Sequence, residues 1–261
     1  MIDTHAHIDD PQYAEELTQY IEMQKNDGVE AILVPSVDKN SLQTVPQVCK
    51  LFPGYCYPAY GLHPEEVRDD YKEQLRSIRQ AVKALDTTSP SSIVAIGEIG
   101  LDYHFDTTYK SEQQDALREQ LSWALEYNLP VMIHSRDATE DCLRILSEYT
   151  SKGLQGVMHC FSGSNETAKR IIDMGLYLGI GGVITFKNCR LADNLHDIPI
   201  ERLVLETDAP YMAPVPLRGK RNESRWMWYV VDKLTAVYNL TREEIDQITT
   251  YNARKLFRLT L

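Results

Sequence analysis

Short apolar runs alternate along the whole chain with longer stretches whose apolar positions recur every third or fourth residue. The short runs read as strands. They are Ala31-Ile32-Leu33-Val34-Pro35, Tyr55 to Leu62, Ile93-Val94-Ala95-Ile96, Val131-Met132-Ile133, Gly156-Val157-Met158, Leu176 to Ile180 and Leu203-Val204-Leu205, with a first strand over Met1 to Asp9. The longer stretches read as helices: Tyr13 to Gly28, Val37 to Leu51 with Pro46 as a kink or break, Glu65 to Leu85, one carrying Leu117, Leu121, Ala124 and Leu125, one carrying Leu143 and Leu146, and one from Glu166 to Met174. Two more close the chain, around Trp226 to Tyr238 and after Thr241. The pairs Ser111/Gln114, Asp137/Glu140 and Thr241/Glu244 have the spacing of capping boxes. No repeat, low-complexity tract or flexible linker interrupts the alternation, so residues 1–261 are read as one domain. Eight strand–helix units in 261 residues predict an α/β fold of the (β/α)8 TIM-barrel type with an extra C-terminal helix, because that fold takes about 250 residues.

The polar residues fall at one place in this pattern. His5, His7, His63, Glu98, His134, His159 and Asp208 all sit at or just past the C-terminal ends of strands, where a barrel of this kind gathers its catalytic groups. Five of the seven histidines are there, and only His104 and His196 lie elsewhere. In an extended strand alternate residues share a face, so His5 and His7 project together as two ligands of one ion would, with Asp3 on the same face to accept a hydrogen bond from an imidazole. Glu98 and Asp208 facing each other without a cation would push each other toward protonation, and the imidazoles beside them point to divalent metal. The set predicts a binuclear centre: His5 and His7 on one ion, His134 and His159 on a second, and Glu98 long enough to bridge ions roughly 3.5–4 Å apart. Such a centre acidifies water toward neutrality and supplies hydroxide as the nucleophile, with Asp208 as ligand and proton acceptor. The expected chemistry is hydrolysis of a phosphate ester or an amide. Mixed imidazole and carboxylate ligands accept Mg²⁺, Mn²⁺, Zn²⁺ or Ni²⁺.

Composition narrows the setting. With 43% hydrophobic and 25% charged residues, and no apolar run near the ~18 residues that cross a membrane, the chain reads as a globular protein without membrane contact. The N-terminus carries Asp3, Asp9 and Asp10 and no basic stretch, so no secretory leader is expected, and a cytoplasmic location is. The five cysteines form no C-x-x-C pair and read as reduced thiols, with Cys160 facing away from the metals as packing. A net charge of −11 excludes sequence-independent binding of a polyanion over the whole surface. A phosphate can be accepted only locally, and Arg136 together with Arg218, Lys220, Arg221 and Arg225 supplies the cations. Tyr103 and Tyr211 are the candidates for stacking on a base, whereas Trp226, Val230, Leu234 and Val237 keep helical spacing and read as core. No obligate protein partner is evident.

Six ordered segments carry a family resemblance: Asp3-Thr4-His5-Ala6-His7, Gly61-Leu62-His63-Pro64, Gly97-Glu98-Ile99-Gly100-Leu101-Asp102-Tyr103, His134-Ser135-Arg136-Asp137, His159-Cys160-Phe161-Ser162-Gly163 and Glu206-Thr207-Asp208-Ala209-Pro210-Tyr211. Together they resemble the TatD family of metal-dependent deoxyribonucleases. The resemblance implies an amidohydrolase-like barrel, metal ligands at His5, His7, Glu98, His134, His159 and Asp208, and Mg²⁺-supported hydrolysis of DNA, often from the 3′ end. It also implies substrate-side roles for His63, Arg136 and the Arg221-Asn222-Glu223 loop. Ala6 stands where the family commonly has Cys, His104 where an aromatic is usual after Tyr103, and Ser224 where Pro often follows Asn-Glu; the last two bear on substrate preference. The expected activity is 3′–5′ removal of nucleotides from single-stranded or frayed DNA ends, since end recognition needs few phosphate contacts. The alternative is a small-molecule amidohydrolase or esterase with the same metals, which would show an apolar pocket instead of a phosphate-binding one.

Overall fold

The computed structural model describes residues 1–84 and 92–260, so Leu85, the expected end of the third long helix, lies outside the described residues. The strands are β1 (Ile2–Asp3), β2 (Ala31–Pro35), β3 (Cys56–Tyr60), β4 (Ala95–Asp102), β5 (Val131–Arg136), β6 (Gly156–Met158), β7 (Tyr177–Ile180) and β8 (Leu203–Leu205). Between and after them run α1 (Leu17–Asn26), α2 (Ser41–Leu51), α3 (Tyr71–Ala84), α4 (Lys110–Tyr127), α5 (Thr139–Thr150), α6 (Asn165–Asp173), α7 (Leu191–Asn194), α8 (Met227–Tyr238) and α9 (Arg242–Phe257). The eight strands belong to one sheet in the order β1 to β8, with parallel pairing, and a helix follows each strand. This is the topology of the (β/α)8 barrel, and α9 is the extra helix. Strands β2, β3 and β4 are buried at every position, as expected of parallel strands covered on both faces.

The chain divides into two compact units, one of Met1–Val34 with Cys160–Leu261 and one of Pro35–His159. In the first, β1 pairs with β2 from Ile2 opposite Ala31, and β7 pairs with β8 from Leu178 opposite Leu203. Asn252 of α9, itself buried, donates to the carbonyls of Ile200 and Leu203 and so ties the last helix to the start of β8. In the second unit, α4 buries Gln113, Ala116, Leu117, Gln120, Leu121 and Ala124 on one stripe. Its two glutamines are clamps. Gln120 accepts from Leu62 N–H and donates to Leu62 C=O, and Gln113 does the same at Asp102. A buried amide that satisfies both backbone groups of one residue fixes that residue's height above the helix, here next to His63 and at the end of β4.

Four local features differ from the expectation. The first strand is a ladder only over Ile2–Asp3, after which Ala6 alone bridges Ala209. Strand β4 starts two residues later than the apolar run and continues through Glu98 to Asp102. Helix α2 begins at Ser41, because the Asp38 carboxylate accepts the Ser41 N–H and holds the preceding residues in a turn. Of the three capping boxes only Thr241/Glu244 forms; α4 and α5 start at Lys110 and Thr139 behind Tyr109 and Ala138, neither of which caps with its side chain.

Candidate metal centre

The two units each carry one cluster of donors. In the first unit the segment from Thr4 to His7 is clamped by backbone hydrogen bonds on two sides. Ala6 N–H donates to Leu33 C=O on one side; on the other Thr4 N–H donates to Leu205 C=O, Asp208 N–H to His5 C=O and His7 N–H to Ala209 C=O. His5 and His7 therefore share a face although the regular strand has ended, and their Nε2 atoms lie 3.2 Å apart. Asp208 follows β8 in the left-handed region (φ 59), a conformation uncommon outside glycine and concentrated at functional sites. Its Oδ1 is 3.6 Å from His7 Nε2 and 3.9 Å from His5 Nε2.

Asp3 supports this cluster in a way different from the one expected. Fully buried, it accepts from His5 N–H (3.2 Å) and not from a ring. Its other bonds come from Thr207 N–H (3.0 Å), Thr207 Oγ1 (2.6 Å) and Ser224 Oγ (2.6 Å). Burial pushes its carboxyl up to about 7, against the pull of these hydrogen bonds in the opposite direction.

In the second unit the cluster is built around one carboxylate oxygen. The pairing of β4 with β5 gains one residue between Ile96 and Ile99, a bulge at Gly97–Glu98 that re-aims Glu98 while its N–H is taken up by Ser36 C=O. Gly100 (φ 155) lets β5 approach, since a Cβ there would stand 1.9 Å from the His134 carbonyl oxygen. Glu98 Oε1 then lies 3.0 Å from His134 Nδ1, 3.4 Å from His63 Nε2 and 3.8 Å from His159 Nε2. His63 Nδ1 accepts Glu65 N–H, so the neutral ring carries its proton on Nε2, the atom that faces Glu98.

Asp102 completes the second cluster and was not among the expected site residues. It is buried, and its Oδ2 sits 2.8 Å from His134 Nε2. Sequence carried a signal for it, because Asp102 lies in the same motif as Glu98, two residues from Gly100 on one strand face. Burial alone would lower the His134 pKa; the hydrogen bonds to Asp102 and Glu98 and the charge of Glu98 outweigh it and lift the ring to about 9. His134 is thus a cation in the metal-free protein at neutral pH, and it would have to give up a proton to serve as a metal ligand, with Asp102 placed to keep the proton on Nε2. The pairing stabilises the metal-free fold fully below about pH 6.5 and is lost as the pH rises through about 9. An NMR titration of the metal-free protein is expected to place the His134 midpoint near pH 9, and Asp102→Asn to bring it back by at least one unit. A midpoint that does not move in the variant would remove Asp102 from this role.

Both donor sets fit a divalent cation. Two imidazole nitrogens bound to one ion at 2.0–2.1 Å stand about 3–3.4 Å apart, the spacing seen between His5 and His7, and a carboxylate within 4 Å supplies the charge. His5, His7 and Asp208 form one group whose donor atoms all lie within 4.8 Å of one another, and His63, Glu98 and His134 form another.

The family model described as TatD related DNase matches residues 2–258. The chain belongs to the TatD family. A relative from Bacillus subtilis, an uncharacterized metal-dependent hydrolase named YabD, is 40% identical over 99% of both chains. Another, named 3′-5′ ssDNA/RNA exonuclease TatD, from Yersinia pseudotuberculosis, is 32% identical over 99% of this chain and all of its own. The crystal structure of the TatD homologue YJJV from Escherichia coli superposes with a TM-score of 0.90 at 31% identity, covering 100% of this chain and 98% of that one. The protein is accordingly a metal-dependent hydrolase of the TatD family, with clusters of His, Glu and Asp able to bind metal. Among the described residues no helix is long and apolar enough to cross a membrane.

The side chains expected on the substrate side fare differently. Arg136 is exposed at the end of β5, 4.7 Å from the centroid of the Phe105 ring. Tyr103 is engaged: its hydroxyl donates to Asp141, accepts from Gln114, and Lys110 covers its ring. Arg221 is also held, by Glu16 at 2.5 Å, the Gln12 carbonyl at 2.6 Å and the Tyr13 ring, and Arg225 pairs with Glu223 and Asp27. Two of the four cations expected to form a basic loop after β8 are neutralised inside the fold.

Proposed function

We propose that the protein is a divalent-metal-dependent deoxyribonuclease that removes nucleotides from the 3′ ends of single-stranded or frayed DNA. His5, His7 and Asp208 would hold one cation, and Glu98, His134 and His159 a second. What carries the reading is the pair of imidazole–carboxylate clusters at the C-terminal ends of strands, in a chain whose relative is named a 3′-5′ ssDNA/RNA exonuclease. Divalent cations in such a site neutralise a phosphate and acidify water toward neutral pH. The protein's own groups supply the rest. Asp208 accepts the proton of the attacking water, and the Nε2–H of His63, set by Glu65, can donate to a phosphate oxygen. Exposed Arg136 can pair with a neighbouring phosphate. Mg²⁺ or Mn²⁺ are the working ions in this proposal, and Zn²⁺ or Ni²⁺ suit the same ligands.

The test is a time course on 5′- and 3′-labelled oligonucleotides with metal-stripped protein, re-supplied with Mg²⁺, Mn²⁺ or Zn²⁺. A metal-dependent ladder shortening from the 3′ end is expected. No cleavage with any ion, in protein that binds two, would overturn the proposal in favour of a small-molecule amidohydrolase or esterase.

A further inference from the structure

Within the first unit, the loops that follow β7 and β8 and the segment that leads into α6 enclose a groove of about 740 Å³, in the range of ligand sites. Three basic side chains line it, Lys187, Arg190 and Arg218. None of the three makes an ion pair among the described residues, in contrast to Arg221 and Arg225 on the same loop as Arg218. In a protein with 38 acidic and 27 basic residues, three exposed cations around one concavity leave a local positive field inside a negative surface. Arg218 lies over Phe186, its Cζ 4.2 Å from the ring centroid, the kind of aromatic–guanidinium surface on which a base stacks. Glu166 is the only carboxylate among the lining residues, and it stands in the first turn of α6, where the helix dipole and Lys169 offset its charge. The groove-bearing loops leave β7 and β8 at the same ends from which Asp208 projects, and they are tied together by Val215 N–H donating to Thr185 Oγ1.

We propose that this groove is a subsite for the sugar-phosphate strand of a nucleic acid, with Lys187, Arg190 and Arg218 pairing the phosphates next to the nucleotide being removed. This deepens the nuclease reading and rests on it for the substrate. It also eases the charge problem of an acidic nuclease, because three cations that make no ion pair among the described residues are gathered where a single strand can lie.

The experiment is fluorescence anisotropy of labelled octathymidylate with the full chain, EDTA present to stop turnover, for the wild type and for Lys187→Ala/Arg190→Ala/Arg218→Ala. The variant is expected to bind about tenfold more weakly or worse at low salt. The slope of log K against log salt should become shallower by about two, since each phosphate that is no longer neutralised removes about 0.7. Its melting temperature should stay unchanged, since the three side chains are exposed. Lys220→Ala, on the same loop but outside the groove, should bind as the wild type does. Affinity within twofold of the wild type in the triple variant would overturn the proposal. The two readings fail separately. Wild type that binds the strand through the groove but cleaves it with no metal would sink the nuclease and keep the site. Cleavage with unchanged KM and unchanged binding in the triple variant would keep the nuclease and sink the site.

Discussion

Glu98→Gln is expected to lower turnover about a thousandfold or more, equivalent to about 4 kcal/mol of barrier, at nearly unchanged thermal stability. The replacement keeps the shape of the side chain and can keep one hydrogen bond to His134, so the packing around this buried residue is retained. What disappears is the carboxylate whose Oε1 lies within 4 Å of His63, His134 and His159 together. Two imidazoles beside a neutral amide hold a divalent cation far less firmly than two beside an anion, because the amide contributes a dipole where the carboxylate contributed a full charge. Three measurements belong together: kcat on bis-p-nitrophenyl phosphate, metal content of the purified variant, and melting temperature. Loss of turnover with loss of bound metal and an intact fold is the expected result. Near-normal turnover with a full metal complement would show that Glu98 is not a ligand at all.

The parts legible in the sequence are those written in local pattern. Apolar runs locate β2, β6 and β8 to the residue because a strand buried on both faces must be apolar throughout, and the polar residues just past such runs locate His134, His159 and Asp208. Glu98 is legible by the same reasoning, yet it lies within β4 and not beyond it, and a bulge that no periodicity announces turns it toward its histidines. Long-range pairing leaves no trace in local pattern. Arg221 looks like a free cation in a basic loop until the fold brings Glu16 and Tyr13 against it, and Arg218, nearby in the same loop, stays unpaired because Phe186 faces it instead. The groove formed with Lys187 and Arg190 is invisible in the sequence for the same reason.

Asp3→Ala is expected to destabilise the metal-free protein by about 4 kcal/mol, a loss of roughly 10 °C in Tm for a chain of this size. Asp3 gathers four donors at zero exposure: two backbone N–H groups, of His5 and Thr207, and the hydroxyls of Thr207 and Ser224. Truncation strands all four without water, and each stranded buried donor costs about 1–3 kcal/mol unless it finds a new partner. These hydrogen bonds join the His5 segment to residues more than two hundred positions away, so the same change loosens the His5–His7 segment and should lower activity as well. Asp3→Asn separates the two effects. Its carbonyl oxygen still accepts, and the hydroxyls can rotate to accept from its amide, so it should lose less than half as much as the alanine variant. It also removes a titration. The folded wild type holds on Asp3 a proton that the unfolded chain releases near pH 4, so its stability falls as the pH rises from there through about 7, and the gap between wild type and Asp3→Asn should narrow over that interval. Calorimetry of the three metal-free proteins across pH 4.5–8 reads both quantities. An alanine variant within about 1 kcal/mol of the wild type would mean that the four donors are satisfied elsewhere and that Asp3 does not hold the first histidine in place.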